Sequence, residues 1–311
     1  MQRFNEMSTR TAPTQLGRRG MPKLRHPLEI PVYIVCVIVN LLIVVLLFGG
    51  IVIELAPTTL HALAIASTPL RFAVIAVIVA VLLTGLVLVL IRQLNRASVR
   101  GNSVLASEHQ FPQIHQIKRE AAMVLGFTPG KEPEIYVEAG NGVLNAFAAS
   151  AFGHDFVVVN SDLFANTLDQ NEKALRFIVG HELGHIRLHH TRLWYQLSTA
   201  YSGLVPLLGP YLSRLRELSC DRHGATFEPE GQEGLVLLTA GRYIYHQVDL
   251  PPLLDQAQKN TGFWNTVVQL PLSHPLTLRR IRELRRLGLI HPPAGGSADQ
   301  SRRATTRPTS G

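Results

Sequence analysis

Two cysteines in 311 residues are too few for a disulfide framework. Cys36 sits in an apolar block and Cys220 far along the chain, so the pair is not expected to bridge, which suits a reducing compartment. Charged side chains are missing altogether from two stretches, 30–53 and 72–91. Lys and Arg are also missing from the connection between them, 54–70. No internal repeat is present, and no nucleic-acid recognition motif or interleaving of aromatic with basic residues accompanies the net charge of +8. A nucleic-acid partner is therefore not expected, although charge alone would permit one.

What is abundant is apolar surface. Apolar residues make up 46% of the chain, high for a soluble protein, and the excess sits in the two uncharged blocks. At about 1.5 Å per residue, each block can cross a hydrocarbon layer of about 30 Å as a helix. A buried core helix would carry a polar stripe, and neither block is expected to have one. A cleaved signal peptide fits poorly, because the first block is long, starts late and is followed at once by a second. Arg3, Arg10, Arg18, Arg19, Lys23 and Arg25 precede the first block, and Arg92, Arg96, Arg100, Lys118 and Arg119 follow the second. The bias predicts both termini, and everything after Ile91, in the cytoplasm. Residues 1–29 carry a net +4 and residues 279–311 a net +6, leaving about −2 on the rest. These basic ends are expected to contact anionic lipid headgroups.

The pattern predicts five segments: a flexible basic N-terminus (1–27), a transmembrane hairpin (28–92), a basic linker (93–107), one folded domain (108–291) and a disordered basic tail (292–311). Within the domain, Ile114, Ile117, Ala121, Val124 and Leu125 repeat at helical spacing over 108–125. "PEIYVE" (133–138) reads as a strand, and "NAFAAS" (145–150) and "FVVVNS" (156–161) as a hairpin around "AFGHD". A helix is expected over 170–190 with Asp169 as N-cap and Glu172 completing a capping box. Further helices are expected over 213–226, 233–248 and 276–287. The apolar segment 193–212 contains Pro206, Pro210, Gly203 and Gly209.

The chemistry concentrates in "HELGH" (181–185). His181 and His185 are four apart, so on a helix both imidazoles reach a common point. Glu182 can reach a water on the same ion, which is the division of labour of H-E-x-x-H: two neutral imidazoles hold Zn²⁺, and the glutamate takes a proton from water as it attacks a carbonyl. A third protein ligand is needed. Positions 188 and 191 are Leu and Thr, so the later-histidine pattern is absent. His189 lies too far around the helix from His181, and His189 and His190 read as surface or supporting groups, His190 complementing the helix dipole. The remaining source is "RELSCDRHG": Glu217 can ligate, and Asp221, one turn on, can accept the other N–H of a ligand histidine. A crossing between His185 and Glu217 would put ligands on opposite sides of a bilayer, so 193–212 is expected to re-enter, to lie in a groove or on the membrane surface, or to form a soluble helix pair.

"NAFA" (145–148), "HELGH" (181–185), "ELSCD" (217–221) and "SHPLTLRRI" (273–281), in that order, resemble the integral-membrane zinc metallopeptidases that include the bacterial heat-shock protease HtpX and the CAAX prenyl endopeptidase. The resemblance covers roughly 108–290 plus the hairpin. It implies an α+β fold: a transmembrane hairpin followed by a mainly helical gluzincin-type domain with a small β-sheet. It also implies one zinc ion per chain, polypeptide substrates and a place in the bacterial cell membrane. Asn145, Ala146, Phe147 and Ala148 would form an edge strand to which substrate adds, with Asn145 orienting the peptide. His274 would stabilise the oxyanion. Arg280 would hold that element or pair with a carboxylate, Arg279 being the adjacent alternative. HtpX-like chains carry two more hydrophobic spans between HExxH and the glutamate, so this chain resembles a two-span variant. The alternative to a peptidase is a non-catalytic, metal-binding membrane scaffold of the same fold.

Overall fold

The computed structural model describes residues 24–55, 68–168 and 171–290. Most of the basic N-terminus, most of the connection between the apolar blocks, Asp169 and the tail 292–311 lie outside the described residues. The architecture is mainly helical with one small mixed sheet.

Helices α1 (Glu29–Leu55) and α2 (Thr68–Asn102) pack on each other. Among the described residues, one helical window, Glu29–Leu46, is long and apolar enough to cross a membrane. Contrary to expectation, α1 does have a second face. Glu29, Tyr33, Cys36 and Asn40 recur at helical spacing and turn toward the rest of the protein, whereas Ile30, Ile34, Ile38, Leu41 and Leu42 are exposed. Only Glu29 of this stripe is charged, and it lies just before the uncharged block, so the sequence shows no polar stripe within 30–53. Over 93–107, α2 continues to Asn102, and Ser103–Leu105 form strand β1.

The sheet runs β1, β2 (Glu134–Glu138), β4 (His154–Asn160), β3 (Ala146–Ala151). β2 and β4 pair in parallel at its centre, and β1 and β3 flank them antiparallel. The central strands are buried on both faces, which is why "FVVV" reads as an unbroken apolar run. Ile135, Val137, Val157 and Val159 face the main core with α3 (Pro112–Val124) and α5 (Glu172–Arg187), while Tyr136, Phe156 and Val158 meet Val99 of α2. The β3–β4 turn is only Phe152–Gly153, both with positive φ (45° and 79°), as the twist of a two-residue hairpin demands.

Asn171, not Asp169, caps α5: its side chain accepts from the Ala174 N–H at 3.1 Å, and Glu172 is the first helical residue. Helix α4 (Ser161–Leu168) precedes it. The segment 193–212 is no span. It breaks into α6 (Leu193–Thr199), a short 3-10 turn and the start of α7 (Leu208–Phe227), and it packs along α1. There Tyr33 stacks on Tyr195 at 4.6 Å, and the Tyr201 N–H donates to Asn40 Oδ1 at 2.9 Å. The helix expected over 233–248 stops early: α8 covers Glu233–Ala240, ending at Gly241 with φ 78°. Helices α9 (Leu250–Lys259), α10 (Phe263–Gln269) and α11 (Thr277–Arg286) complete the domain.

What positions the site is the close crossing of α5 and α7. A Cβ on Gly184 would lie 3.0 Å from His223 Cβ, and one on Gly224 would lie 2.8 Å from the Phe177 carbonyl oxygen. Side chains at these positions would hold the helices apart.

Candidate metal centre

His181 and Glu182 are buried on α5, with His185 one turn on and half-buried. Glu217, buried on α7, comes between the imidazoles. Its Oε2 is 3.4 Å from His181 Nε2, and its Oε1 is 3.5 Å from His185 Nε2. Two ligands about 2.0–2.1 Å from one tetrahedral zinc would lie roughly 3.3–3.4 Å apart. Donor set and spacing therefore fit zinc, and these three residues form one of two His/Cys/carboxylate clusters among the described residues.

Each imidazole is held from behind. His181 Nδ1 meets Asp221 Oδ1 at 3.0 Å, and Arg280 grips that carboxylate with Nε and Nη2 at 2.8 and 2.6 Å. A second Arg280 approach reaches Glu217 at 3.9 Å. Arg279 turns elsewhere, to Gln269 Oε1 at 3.1 Å. His185 Nδ1 meets His190 Nδ1 at 3.2 Å. His190 is therefore no surface residue: it is 4% exposed, whereas His189 is exposed. The chain leaves α5 before reaching it, through a left-handed His189 (φ 67°), and swings back under the helix.

The field is strongly negative. Burial pushes His181 down, yet its hydrogen bonds with Asp221 and Glu217 outweigh this and lift it to about 10. Burial would raise Glu217 and Asp221, but the histidines around the first and Arg280 beside the second hold both carboxyls low. Such a centre favours a cation. Glu182 differs: burial raises it, against the pull of His181 and His185 and a hydrogen bond at the Ala148 backbone.

A cavity of about 270 Å³ joins these groups to the sheet. Ala146, Phe147 and Ala148 line it along β3, which among the described residues is an edge strand paired with β4 alone. Asn145 stands just outside β3, exposed, and does not line the cavity; its carbonyl accepts from the Asn160 N–H at 2.9 Å. His274 lines the mouth, and its Nδ1 is 3.2 Å from Glu217 Oε2. Its loop is tied to α7 by Arg214, which donates to the carbonyls of Gln269, Leu270 and Leu272 at 2.6–2.9 Å. Sequence reasoning missed Arg214, Gln196 and Arg216, the last two on the cavity wall. Gln196 and Arg214 had no signal beyond a place in or beside the broken segment 193–212, whereas Arg216 opens the quoted "RELSCDRHG".

No curated protein matches the chain. Residues 108–200, from α3 through HELGH to the end of α6, match the model of Peptidase family M48, and that match implies a metallopeptidase.

Proposed function

We propose that the chain is a membrane-anchored zinc endopeptidase of the gluzincin type, holding one ion with His181, His185 and Glu217. The observation that carries this reading is the convergence of those three side chains, with Glu217 32 residues beyond His185 in the sequence, at 3.4 and 3.5 Å. A bound zinc supplies Lewis acidity, activating water and polarising a peptide carbonyl.

The chain's own residues do the rest. Glu182, beside both histidines and pushed above the usual carboxylate range by burial, accepts a proton from the attacking water and returns it to the leaving amine. The edge of β3 that no described strand pairs with receives an extended substrate through main-chain hydrogen bonds, which aligns a peptide with little side-chain preference. Asn145, at the entry to that strand, orients the peptide. His274 at the cavity mouth stabilises the oxyanion, Asp221 fixes the His181 tautomer, and Arg280 holds Asp221.

Anchoring rests on α1 and α2. The face of α1 that bears Ile34, Ile38, Leu41, Leu42 and Val45, and the exposed Leu83, Leu86, Leu90 and Leu94 of α2, suit lipid better than water. Two spans, a cytoplasmic active site, basic ends on anionic headgroups and a role in clearing misfolded or membrane proteins complete the reading.

The test uses purified full-length protein in detergent with zinc and an unfolded casein. The parent should cleave it. Glu182→Gln should bind zinc equally and lose about 10²–10⁴-fold in rate. Cleavage by Glu182→Gln at the parent's rate sinks the mechanism, and a zinc-loaded parent that never cleaves supports the scaffold instead.

A further inference from the structure

Glu29 heads an apolar helix, yet it is completely buried. Its Oε1 accepts from Arg25 Nη1 at 2.7 Å and from His190 Nε2 at 3.1 Å. Its Oε2 accepts from the Ser219 hydroxyl of α7. An ionised carboxylate only accepts, so the proton between Glu29 and His190 sits on His190 Nε2. A neutral His190 then offers a lone pair at Nδ1, 3.2 Å from His185 Nδ1. His185 must donate there, which leaves its Nε2 lone pair on the side where Glu217 lies at 3.5 Å.

The backbone builds this contact. The His190 N–H bonds to the His185 carbonyl at 2.9 Å, and the His189 N–H to that of Ile186 at 3.0 Å, with His189 left-handed between them. That pair of bonds is a Schellman ending, which brings the second residue past the cap beside the third residue before it. Here those two residues are His190 and His185. Arg25, four residues before Glu29, also donates to the Leu188 carbonyl at 3.3 Å, so the start of α1 and the end of α5 are joined twice.

We propose that Glu29 and His190 are positioning residues of the metal centre: the Glu29–His190 pair fixes His185 in its Nδ1–H form with Nε2 toward the ion, making the first turn of α1 part of the site. The two ligand histidines are then treated unequally. His181 is held by a carboxylate directly, and His185 by a carboxylate through a second imidazole. This rests on zinc binding at His181, His185 and Glu217. The nearby His185, His190 and Cys220 also come close enough to hold a metal, but His190 Nδ1, which faces His185 Nδ1 at 3.2 Å and Cys220 Sγ at 3.7 Å, would then serve that ion instead of the relay.

The experiment uses full-length protein in detergent. Zinc affinity is read by competition with a chromogenic chelator, and the cobalt-substituted form by its visible bands and its paramagnetically shifted N–H protons. Glu29→Leu, which removes the acceptor, and His190→Ala should each weaken zinc by about 10–100-fold. The double variant should be no weaker than the worse single one, since both break one chain. The parent's cobalt form should show two slowly exchanging histidine N–H signals, and each variant should lose one. Unchanged affinity together with two retained signals in Glu29→Leu or in His190→Ala overturns the proposal. So does a parent that binds two zinc ions and falls to one in Cys220→Ser. A parent that binds no zinc, or a His181→Ala variant that binds it undiminished, overturns instead the metal centre on which the proposal stands.

Discussion

The α5–α7 crossing can be probed with single methyl groups. An alanine at Gly224 would put its Cβ 2.8 Å from the Phe177 carbonyl oxygen and 3.2 Å from two ring carbons of Phe177. Relieving that clash to the roughly 3.5 Å of ordinary contact requires the helices to part by about 0.5 Å or more. Overpacking of this kind destabilises by about 1–3 kcal/mol, while Gly→Ala inside a helix returns about 1 kcal/mol. The net loss expected for Gly224→Ala is about 0–2 kcal/mol. Gly184→Ala is milder in packing, with His223 Cβ at 3.0 Å and Cys220 Cα at 3.3 Å, but it sits within HELGH. Gly101→Ala, near the end of α2 and with nothing within 4 Å, is the control and should gain up to about 1 kcal/mol. The assays are unfolding of the full-length protein followed by circular dichroism, and zinc affinity by chelator competition. Metal–ligand distances in genuine sites hold to within about 0.2 Å of their usual values, so Gly184→Ala and Gly224→Ala, which shift the ligand helices, should both weaken zinc while Gly101→Ala leaves it unchanged. If Gly224→Ala gains the same stability as Gly101→Ala and binds zinc like the parent, the crossing is not as close as described and the account of the site's geometry is wrong.

Asp221→Asn keeps the shape but strands the buried Arg280 guanidinium, which is 8% exposed; a loss of about 3–5 kcal/mol is expected by chemical unfolding, and a loss below 1 would refute the pairing. Burial would raise Asp221, but Arg280 holds it below its ordinary value, so its contribution is present above roughly pH 4 and fades as pH falls through the folded value; Asp221→Asn should flatten that acid limb. His181 runs the other way: burial lowers it, but Asp221 and Glu217 raise it to about 10, so zinc-free protein should hold this contribution below about pH 6.5 and lose it as pH rises toward 10, a slope that zinc should remove. Arg214→Leu leaves three carbonyls without their shared donor; it should destabilise by about 1–3 kcal/mol and open the 270–276 loop to limited proteolysis, an outcome absent from Arg279→Leu.

Local signals carried the elements whose apolar residues keep one period. The spacing of Ile114, Ile117 and Ala121 marked α3, the short runs "NAFAAS" and "FVVVNS" on either side of "AFGHD" marked β3 and β4, and HELGH lay on a helix. Segments whose order depends on partners were illegible. β1 is three residues long and exists through its pairing with Glu138, Val137 and Tyr136. α9 and α10 are short, and α10 has Phe263 and Trp264 exposed, so no apolar stripe announces it. Pro206 and Pro210 did mark the break in 193–212, but not that the broken piece lies against α1. At the site, the four-residue step between His181 and His185 was readable because helical geometry alone sets it. His190 was not, because its position depends on a left-handed His189 that no composition rule reveals.

The least legible feature was the inner face of α1, and the reason is physical. A block without charge presents itself as uniformly lipid-facing, since transfer from water to lipid is roughly additive over side chains. Packing is directional instead. Glu29, Tyr33, Cys36 and Asn40 share one face of α1, and each is held there by a different interaction: ion pairs and hydrogen bonds at Glu29, ring stacking at Tyr33, complete burial at Cys36 and a hydrogen bond at Asn40. The Tyr33 hydroxyl adds a bond to Ser198 Oγ at 2.9 Å. A helix that only anchored the chain would need none of these, and a helix of the soluble core would not leave Ile34, Ile38 and Leu42 uncovered. On the proposed reading one side of α1 meets lipid, and the other braces α6, α7 and the end of α5. The brace reaches the metal centre at Glu29, so tilting α1 moves a carboxylate two hydrogen bonds from His185.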